Sequence, residues 1–243
     1  MLVKPVHTTI FKTGDSLEDF IFRFVPKLKE KSILVVTSKI VALSQGRVIA
    51  GKISEKEKEK WIKKESESYI KTKWCYLTFM NGHWCANAGI DESNAETSGL
   101  ILWPKDPFGV AEYLRKKLQK RYSVNKLGVV ITDSRIFPLR AGVSGVAIGY
   151  TGFKGLRNYI GKKDLFGRRL KMTKTNIADS LATAAVLVMG EGNEQTPLAA
   201  IEDVDIVFTS SKTKDNELRI NPKDDLYGPI FGLIRKIKQR RRK

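Results

Sequence analysis

Leu17, Phe20, Ile21 and Phe24 recur at the spacing of one helix face, opened by Asp15-Ser16-Leu17-Glu18, which reads as a capping box. Ser32 to Thr37 (SILVVT) is a short unbroken apolar run, the pattern of a buried strand. Ser54 and Glu57 open a strongly charged, solvated helix predicted to continue to about Ile70. Trp74–Phe79 and His83–Ile90 flank Asn81-Gly82, the strongest short hairpin signal in the chain. Pro107 to Tyr122 predicts a helix with Val110, Leu114 and Leu118 inward and a basic outer face. Leu127–Thr132 (LGVVIT) predicts a second buried strand, ending at Asp133-Ser134. Val143 to Gly152 is strand-like and punctuated by glycine where backbones approach closely. Asn176 to Met189 is a helix of small and apolar residues stopped by Gly190, and Leu198 to Phe208 returns as strand. Hairpins mixed with strand–helix alternation predict an α+β, mixed-sheet architecture rather than a purely parallel sheet.

Composition narrows the class. Hydrophobic residues make up 42% and charged residues 29% of 243 positions, which excludes wholesale disorder and leaves ample chain for a core. No apolar run approaches the roughly 18–20 residues needed to span a bilayer. The N-terminal MLVKPVHTTIF has no apolar stretch followed by a small-residue cleavage site, so a cytoplasmic protein is expected. The formal charge is +18, from 44 Lys and Arg against 26 Asp and Glu. Seven of those positive charges crowd into Arg235–Lys243, and the rest suit any polyanion. Cys75 and Cys85 flank the hairpin. A two-residue turn sets Cys85 opposite Thr78 and Cys75 opposite Ala88, with the sulfurs on opposite faces, so no bridge is expected.

Neither a G-x-x-x-x-G-K-[ST] loop nor a G-x-G-x-x-G turn is present, and His7 and His83 are too few for a histidine-based triad. What the chain does carry is carboxylates at the ends of elements: Asp91 in AGIDESN, Asp133 in VITDS, and Glu191 and Glu194 in MGEGNEQTP. A glycine-rich loop bearing carboxylates repels phosphate unless divalent cations lie between them. Carboxylates from separate elements can hold a Mg²⁺ or Mn²⁺ pair that neutralises a triphosphate. Each segment also has a plain reading, as a turn, a helix cap or an ordinary loop.

Trp84-Cys85-Ala86-Asn87-Ala88-Gly89-Ile90-Asp91 with Ser93-Asn94, Ile131-Thr132-Asp133 and Gly145-Val146-Ala147-Ile148-Gly149 resemble the CofE family. So do Lys163-Asp164-Leu165-Phe166-Gly167-Arg168 and Val188-Met189-Gly190-Glu191-Gly192, in an ordered match from about Val3 to Ile201. That family comprises γ-glutamyl ligases that use GTP to add L-glutamate to the precursor of the deazaflavin coenzyme F-420. The resemblance implies a CofE-like mixed-sheet fold of two interleaved subdomains in an intertwined homodimer, with the ligase domain at 1–208 and a C-terminal extension with its basic tail at 209–243. It implies that Asp91 and Asp133 hold one divalent ion, that Ser134 and Glu191 help hold a second, and that a monovalent cation can be a further cofactor. Asp91, Asp133 and Glu191 become the catalytic residues. Nucleotide contacts fall to Thr8, Thr9, Ser38, Lys39, Asn94 and the loop Met189, Gly190, Glu191, Gly192, Asn193, Glu194, Gln195 and Thr196, the His7-Thr8-Thr9 segment matching in position only. Arg140, Lys154 and Arg168 are the basic residues inside matched segments and are assigned to carboxylate or phosphate recognition.

The chain departs from the family pattern in places. Leu43 stands where a lysine is common, and Ile136-Phe137 replace a Gly-Arg pair. Leu218–Arg235 resembles instead the bacterial branch labelled folate-metabolism γ-glutamate ligase. The expectation is therefore a nucleotide-dependent ligase, GTP favoured, that joins L-glutamate to a folate-type carboxylate through an acyl phosphate. Ligation to the deazaflavin precursor is one alternative. A basic nucleic-acid-binding module is the other, and the scattered Trp61, Trp74, Trp84 and Trp103 give it no stacking platform.

Overall fold

The computed structural model describes residues 1–93, 99–221 and 223–230. The chain runs through β1 (Leu2–Val6), α1 (Leu17–Phe24) and β2 (Ser32–Thr37), which passes directly into α2 (Ser38–Ser44). Then come β3 (Val48–Ile49), α3 (Glu55–Glu65), β4 (Ser68–Lys71), β5 (Tyr76–Met80), β6 (His83–Ala86), a single 3-10 turn at Asn87–Gly89 and β7 (Leu100–Ile101). Next are α4 (Pro107–Tyr122), β8 (Leu127–Ile136), β9 (Val143–Thr151), β10 (Leu156–Asn158), β11 (Lys174–Asn176), α5 (Ile177–Met189) and β12 (Leu198–Glu202).

Five strands form the central sheet in the order β1-β12-β2-β8-β9. The two apolar runs SILVVT and LGVVIT are its middle, paired in parallel from Ser32 opposite Leu127 to Thr37 opposite Thr132. All other neighbours are antiparallel, so the sheet is mixed as expected. Period-two alternation divides the core. Leu34 and Val36 of β2, Leu127, Val129 and Ile131 of β8, and Leu198 and Ala200 of β12 face a cluster that includes α1, α2 and α4. Ile33, Val35, Val130, Ala199 and Ile201 face the opposite side, where the small residues of α5 pack. Strands buried on both faces need apolar residues at every position, which is why these segments read as runs rather than alternations.

β4, β5 and β6 make a separate three-stranded sheet. Asn81 (φ 48°) and Gly82 (φ 81°) form its two-residue turn in the left-handed backbone that type I′ requires. Cys85 lies opposite Thr78, as the turn predicts, and both cysteines are free thiols. Cys75 precedes β5 and has no ladder partner.

Several boundaries differ from expectation. Ser16 caps α1 by accepting from the Asp19 N–H, while Asp15 bonds the Lys12 N–H instead. The Ser54–Glu57 capping box is present, but α3 stops at Glu65 because Ser68–Lys71 pairs with β5. The second hairpin strand ends at Ala86, where Asn87, Ala88 and Gly89 all take positive φ. β12 ends at Glu202 before Asp203 turns left-handed. Thr209 and Glu217 are tied to the body: Thr209 bonds Gly152 and Arg115, and the Tyr150 hydroxyl donates to Glu217.

Gly149 of β9 lies against the start of α4, where an added Cβ would come within 2.5 Å of the Pro107 backbone. Gly149→Ala is expected to lower unfolding free energy by about 1–3 kcal/mol. Urea denaturation at constant m-value checks it.

Candidate active site

The parallel pairing delivers both central strands to one edge of the sheet, and the antiparallel neighbours bring their own ends there. β2 exits at Thr37 into Ser38 and Lys39, and β8 passes Thr132 to reach Asp133. β12 enters at Leu198, opposite both Val36 and Val6, so the 190–197 loop and the residues after β1 arrive at the same edge. The Thr37 N–H donates to Pro197 O and the Thr8 N–H to Gln195 O, tying the segments together. An edge at the carboxyl ends of parallel strands is where open α/β sheets bind ligands.

β8 does not end at Asp133-Ser134. Asp133 pairs with Val146, and the strand continues to Ile136 opposite Val143. The polar residues are carried by the β9 ladder rather than by their own hydrophobicity. Alternation then sends Asp133 and Ser134 to opposite faces. On the α2 side the Ser38 hydroxyl donates to Asp133 Oδ1 at 2.8 Å. On the α5 side the Ser134 hydroxyl donates to Glu191 Oε1 at 2.6 Å.

Asp91 joins the first face. Its backbone is fixed by a two-way bridge to Ile101, and Lys39 Nζ lies 2.7 Å from its carboxylate. Ser93 donates both its N–H and its hydroxyl to the same carboxylate, and Lys39 also donates to the Ser93 hydroxyl. Burial alone pushes the Asp91 carboxyl up, but Lys39 and Ser93 together hold it below its ordinary value. Asp133 goes the other way: burial raises it, the nearby Asp91 charge adds to that, and Arg135 and Ser38 only partly offset the rise. A carboxylate in that state is short of positive charge.

The oxygen donors present, Asp91, Asp133 and Ser38 on one face and Ser134 with Glu191 on the other, suit a hard divalent ion. Among the described residues no group of three or more His, Cys, Asp or Glu side chains comes together.

The rest of the expected set divides. Glu194 folds back over Gly190 and accepts from the Gly192 N–H at 2.8 Å, and the Thr196 hydroxyl donates to Met189 O. The loop from Met189 through Asn193 to Thr196 thus lies at the site edge, as does the Thr8-Thr9 segment. Asn94 lies outside the described residues. Arg140 sits in the β8–β9 turn, where its N–H bonds Phe137 O. β9 runs away from the site, so Lys154, three residues past Thr151, lies at the opposite sheet edge. Arg168 pairs with Asp164 in the excursion between β10 and β11, and its side chain is 77% exposed. One chain therefore does not bring Lys154 or Arg168 to the Asp91–Asp133 pair.

Arg135 escaped sequence reasoning. Two residues after Asp133 on the same strand face, it is 7% exposed, with Nε 3.9 Å from Asp133 Oδ2. Its Nη2 donates to His83 Nε2 at 2.8 Å, and its guanidinium lies 4.7 Å from the Trp103 ring centroid. Extending the strand alternation past Asp133 would have found it. Burial, then the Arg135 charge, pulls His83 from 6.5 down to about 4, so it is the neutral acceptor of that bond.

A profile of the family described as F420-0:Gamma-glutamyl ligase matches residues 5–203. The chain belongs to that family. It is an amide-forming ligase, as the sequence motifs implied. Among its relatives, the Coenzyme F420:L-glutamate ligase of Methanosarcina mazei is 35% identical over 208 residues, covering 79% of this chain and 81% of the relative. The protein of the same name from Methanocaldococcus jannaschii is 34% identical over 235 residues, 89% of this chain and 92% of the relative. That from Archaeoglobus fulgidus is 32% identical over 218 residues, 83% and 87%. These names carry coenzyme F420 and no folate, so the comparisons favour the deazaflavin alternative over the folate-type acceptor expected from the C-terminal segment. Among the described residues no helix is long and apolar enough to cross a membrane.

As pH falls, an unfolded histidine protonates near 6.5 while folded His83 stays neutral to about 4. Its contribution to stability is complete above pH 6.5 and is lost on descending towards 4, about 3 kcal/mol in all. Denaturation curves across that window are expected to be flatter by this amount in His83→Gln.

Proposed function

We propose that this ligase joins L-glutamate to a coenzyme F420-type acceptor at the Asp91–Asp133 edge, using a nucleoside triphosphate, GTP by preference, and divalent metal. The observation that carries it is the convergence, in a chain of this family, of Ser38, Lys39, Asp91 and Asp133 at the end of the parallel strand pair. The acceptor carboxylate attacks the γ-phosphorus, forming an acyl phosphate and releasing the nucleoside diphosphate. The free amine of glutamate then attacks the acyl carbon, an amide forms, and phosphate leaves. The first step needs no general base, because a carboxylate is already ionised at neutral pH.

Its barrier is the repulsion between an anion and a triphosphate. Asp91 and Asp133 would hold a divalent ion on one face of β8, and Ser134 with Glu191 another on the opposite face. When bound, such ions supply the positive charge that the triphosphate needs. Lys39 sits with its ammonium on Asp91 and is within reach of any phosphate brought there. The Thr8-Thr9 segment and the 190–196 loop border the same edge and would contact the nucleotide. A homodimer remains part of the proposal, since Arg168 and Lys154 would serve this site only from a second copy.

The test is to incubate the protein with GTP or ATP, Mn²⁺, glutamate and either F420-0 or a folate monoglutamate, and to weigh the products. A mass gain of one glutamyl residue on F420-0 is expected. Asp133→Asn is expected to cut glutamate-dependent phosphate release by about 100-fold or more with an unchanged thermal melt. Turnover at the wild-type rate in that variant refutes the metal assignment.

A further inference from the structure

Arg135 lies beside a carboxylate and does not bond it. Its Nε is 3.9 Å from Asp133 Oδ2, beyond hydrogen-bond reach. Its other nitrogens turn the opposite way, Nη2 donating to His83 Nε2 at 2.8 Å and Nη1 to Trp84 O at 3.4 Å. Both acceptors are neutral. A hydrogen bond to a carboxylate is about twice as strong as one to a neutral group, and the guanidinium fork matches a carboxylate edge for edge. At 7% exposure, water does little to weaken that preference. The fold therefore holds the two charges apart.

β6 and Trp103 do the holding. β6 presents His83 and Trp84 in a register set by the two-residue turn, with Met80 opposite His83 and Phe79 opposite Trp84. Trp103 covers one face of the guanidinium, its ring centroid 4.7 Å away. That indole is 4% exposed and is backed by Gly89, where an added Cβ would lie 2.1 Å from a ring carbon. The His83 ring packs on the same indole, centroids 5.8 Å apart, so the acceptor nitrogen is fixed in its turn. On the far side the Ser38 hydroxyl occupies Asp133 Oδ1 at 2.8 Å, which leaves Oδ2 as the oxygen a released Arg135 would take.

We infer that His83 is a positioning residue: its Nε2 draws the Arg135 guanidinium back from Asp133, so that the carboxylate keeps an oxygen open to a divalent ion. His83 acts through Arg135 and touches neither ion nor substrate. Without that acceptor, Arg135 closes the gap to a direct ion pair and competes with the metal for Oδ2. The inference rests on the reading of Asp133 as a metal ligand.

Titration of the whole protein with Mn²⁺, followed by electron paramagnetic resonance, reads this without nucleotide or turnover, and thermal melts confirm that each variant is folded. Asp133→Asn is expected to weaken binding by about tenfold or more, which locates the ion. His83→Phe keeps a ring against Trp103 and removes the acceptor, so binding is expected to weaken by about threefold or more; His83→Leu stands in if that variant does not fold. Arg135→Gln removes the competing charge, and binding is expected to tighten by about threefold to tenfold. The double variant should match Arg135→Gln within about twofold, because His83 then has nothing to hold. A purely structural role for His83 and Arg135 predicts instead weaker binding in both single variants and weaker still in the double. If Arg135→Gln fails to tighten the ion, if the folded His83 variant binds it as wild type does, or if the double variant falls below Arg135→Gln, the inference is overturned and the Asp133 site stands. If wild type binds no Mn²⁺, or Asp133→Asn binds it equally well, the metal reading falls and this inference falls with it.

Discussion

The parallel pairing of Ser32–Thr37 with Leu127–Thr132 is the constraint on which the site depends. It fixes Thr37 opposite Thr132, and that register puts Ser38 within 2.8 Å of Asp133 although 95 residues separate them. A slip of one residue would turn every side chain of either strand to the wrong face. The apolar run that makes register costly to change is therefore also what aims the catalytic candidates. The intervening chain carries α2, α3, the hairpin and α4 between the two strands, and it returns Asp91 to Lys39 on the way.

The sequence was most informative where burial is symmetrical. SILVVT and LGVVIT are covered on both faces, so their own composition declares them, and Pro107–Tyr122 carries its cap, its proline and its stripe within one segment. It was least informative where one strand exists because of another. Asp133 to Ile136 is polar or exposed for most of its length and is held extended by β9, a partner that local pattern cannot see. The same holds for Ser68–Lys71, which looked like the tail of a charged helix until its pairing with Tyr76–Met80 was known. The left-handed run Asn87–Gly89 likewise depends on a long-range contact, the Trp103 ring lying on Gly89.

Much of the site was legible because carboxylates at element ends are conspicuous. Their partners were less so. Ser38 and Lys39 follow β2 directly and were found through motif resemblance, whereas Arg135 and His83 belong to different sheets and meet only in three dimensions. Lys154 and Arg168 show the converse: both lie in matched segments, yet within one chain Lys154 follows the far end of β9 and Arg168 pairs with Asp164 rather than with the carboxylate pair. Residues adjacent in a motif share a site only if the strand direction between them allows it.

The excess of positive charge takes its meaning from two cations that differ in kind. Lys39 is 28% exposed at its side chain and holds Asp91 through a compact ammonium on a flexible stem. It can leave that carboxylate without disturbing a strand, which is the behaviour needed where a metal ion and phosphates would enter. Arg135 cannot move so freely, since its guanidinium is wedged against Trp103 and bonded to His83 and Trp84 O. One cation is exchangeable and the other is fixed, and between them lies the half-buried Asp133 carboxylate, which burial and the Asp91 charge hold above its ordinary value. A strongly basic surface gathers anions broadly. At the site edge that attraction becomes local: a flexible ammonium sits 2.7 Å from Asp91, while a wedged guanidinium stays 3.9 Å from Asp133, so the two carboxylates meet their positive charge to different degrees.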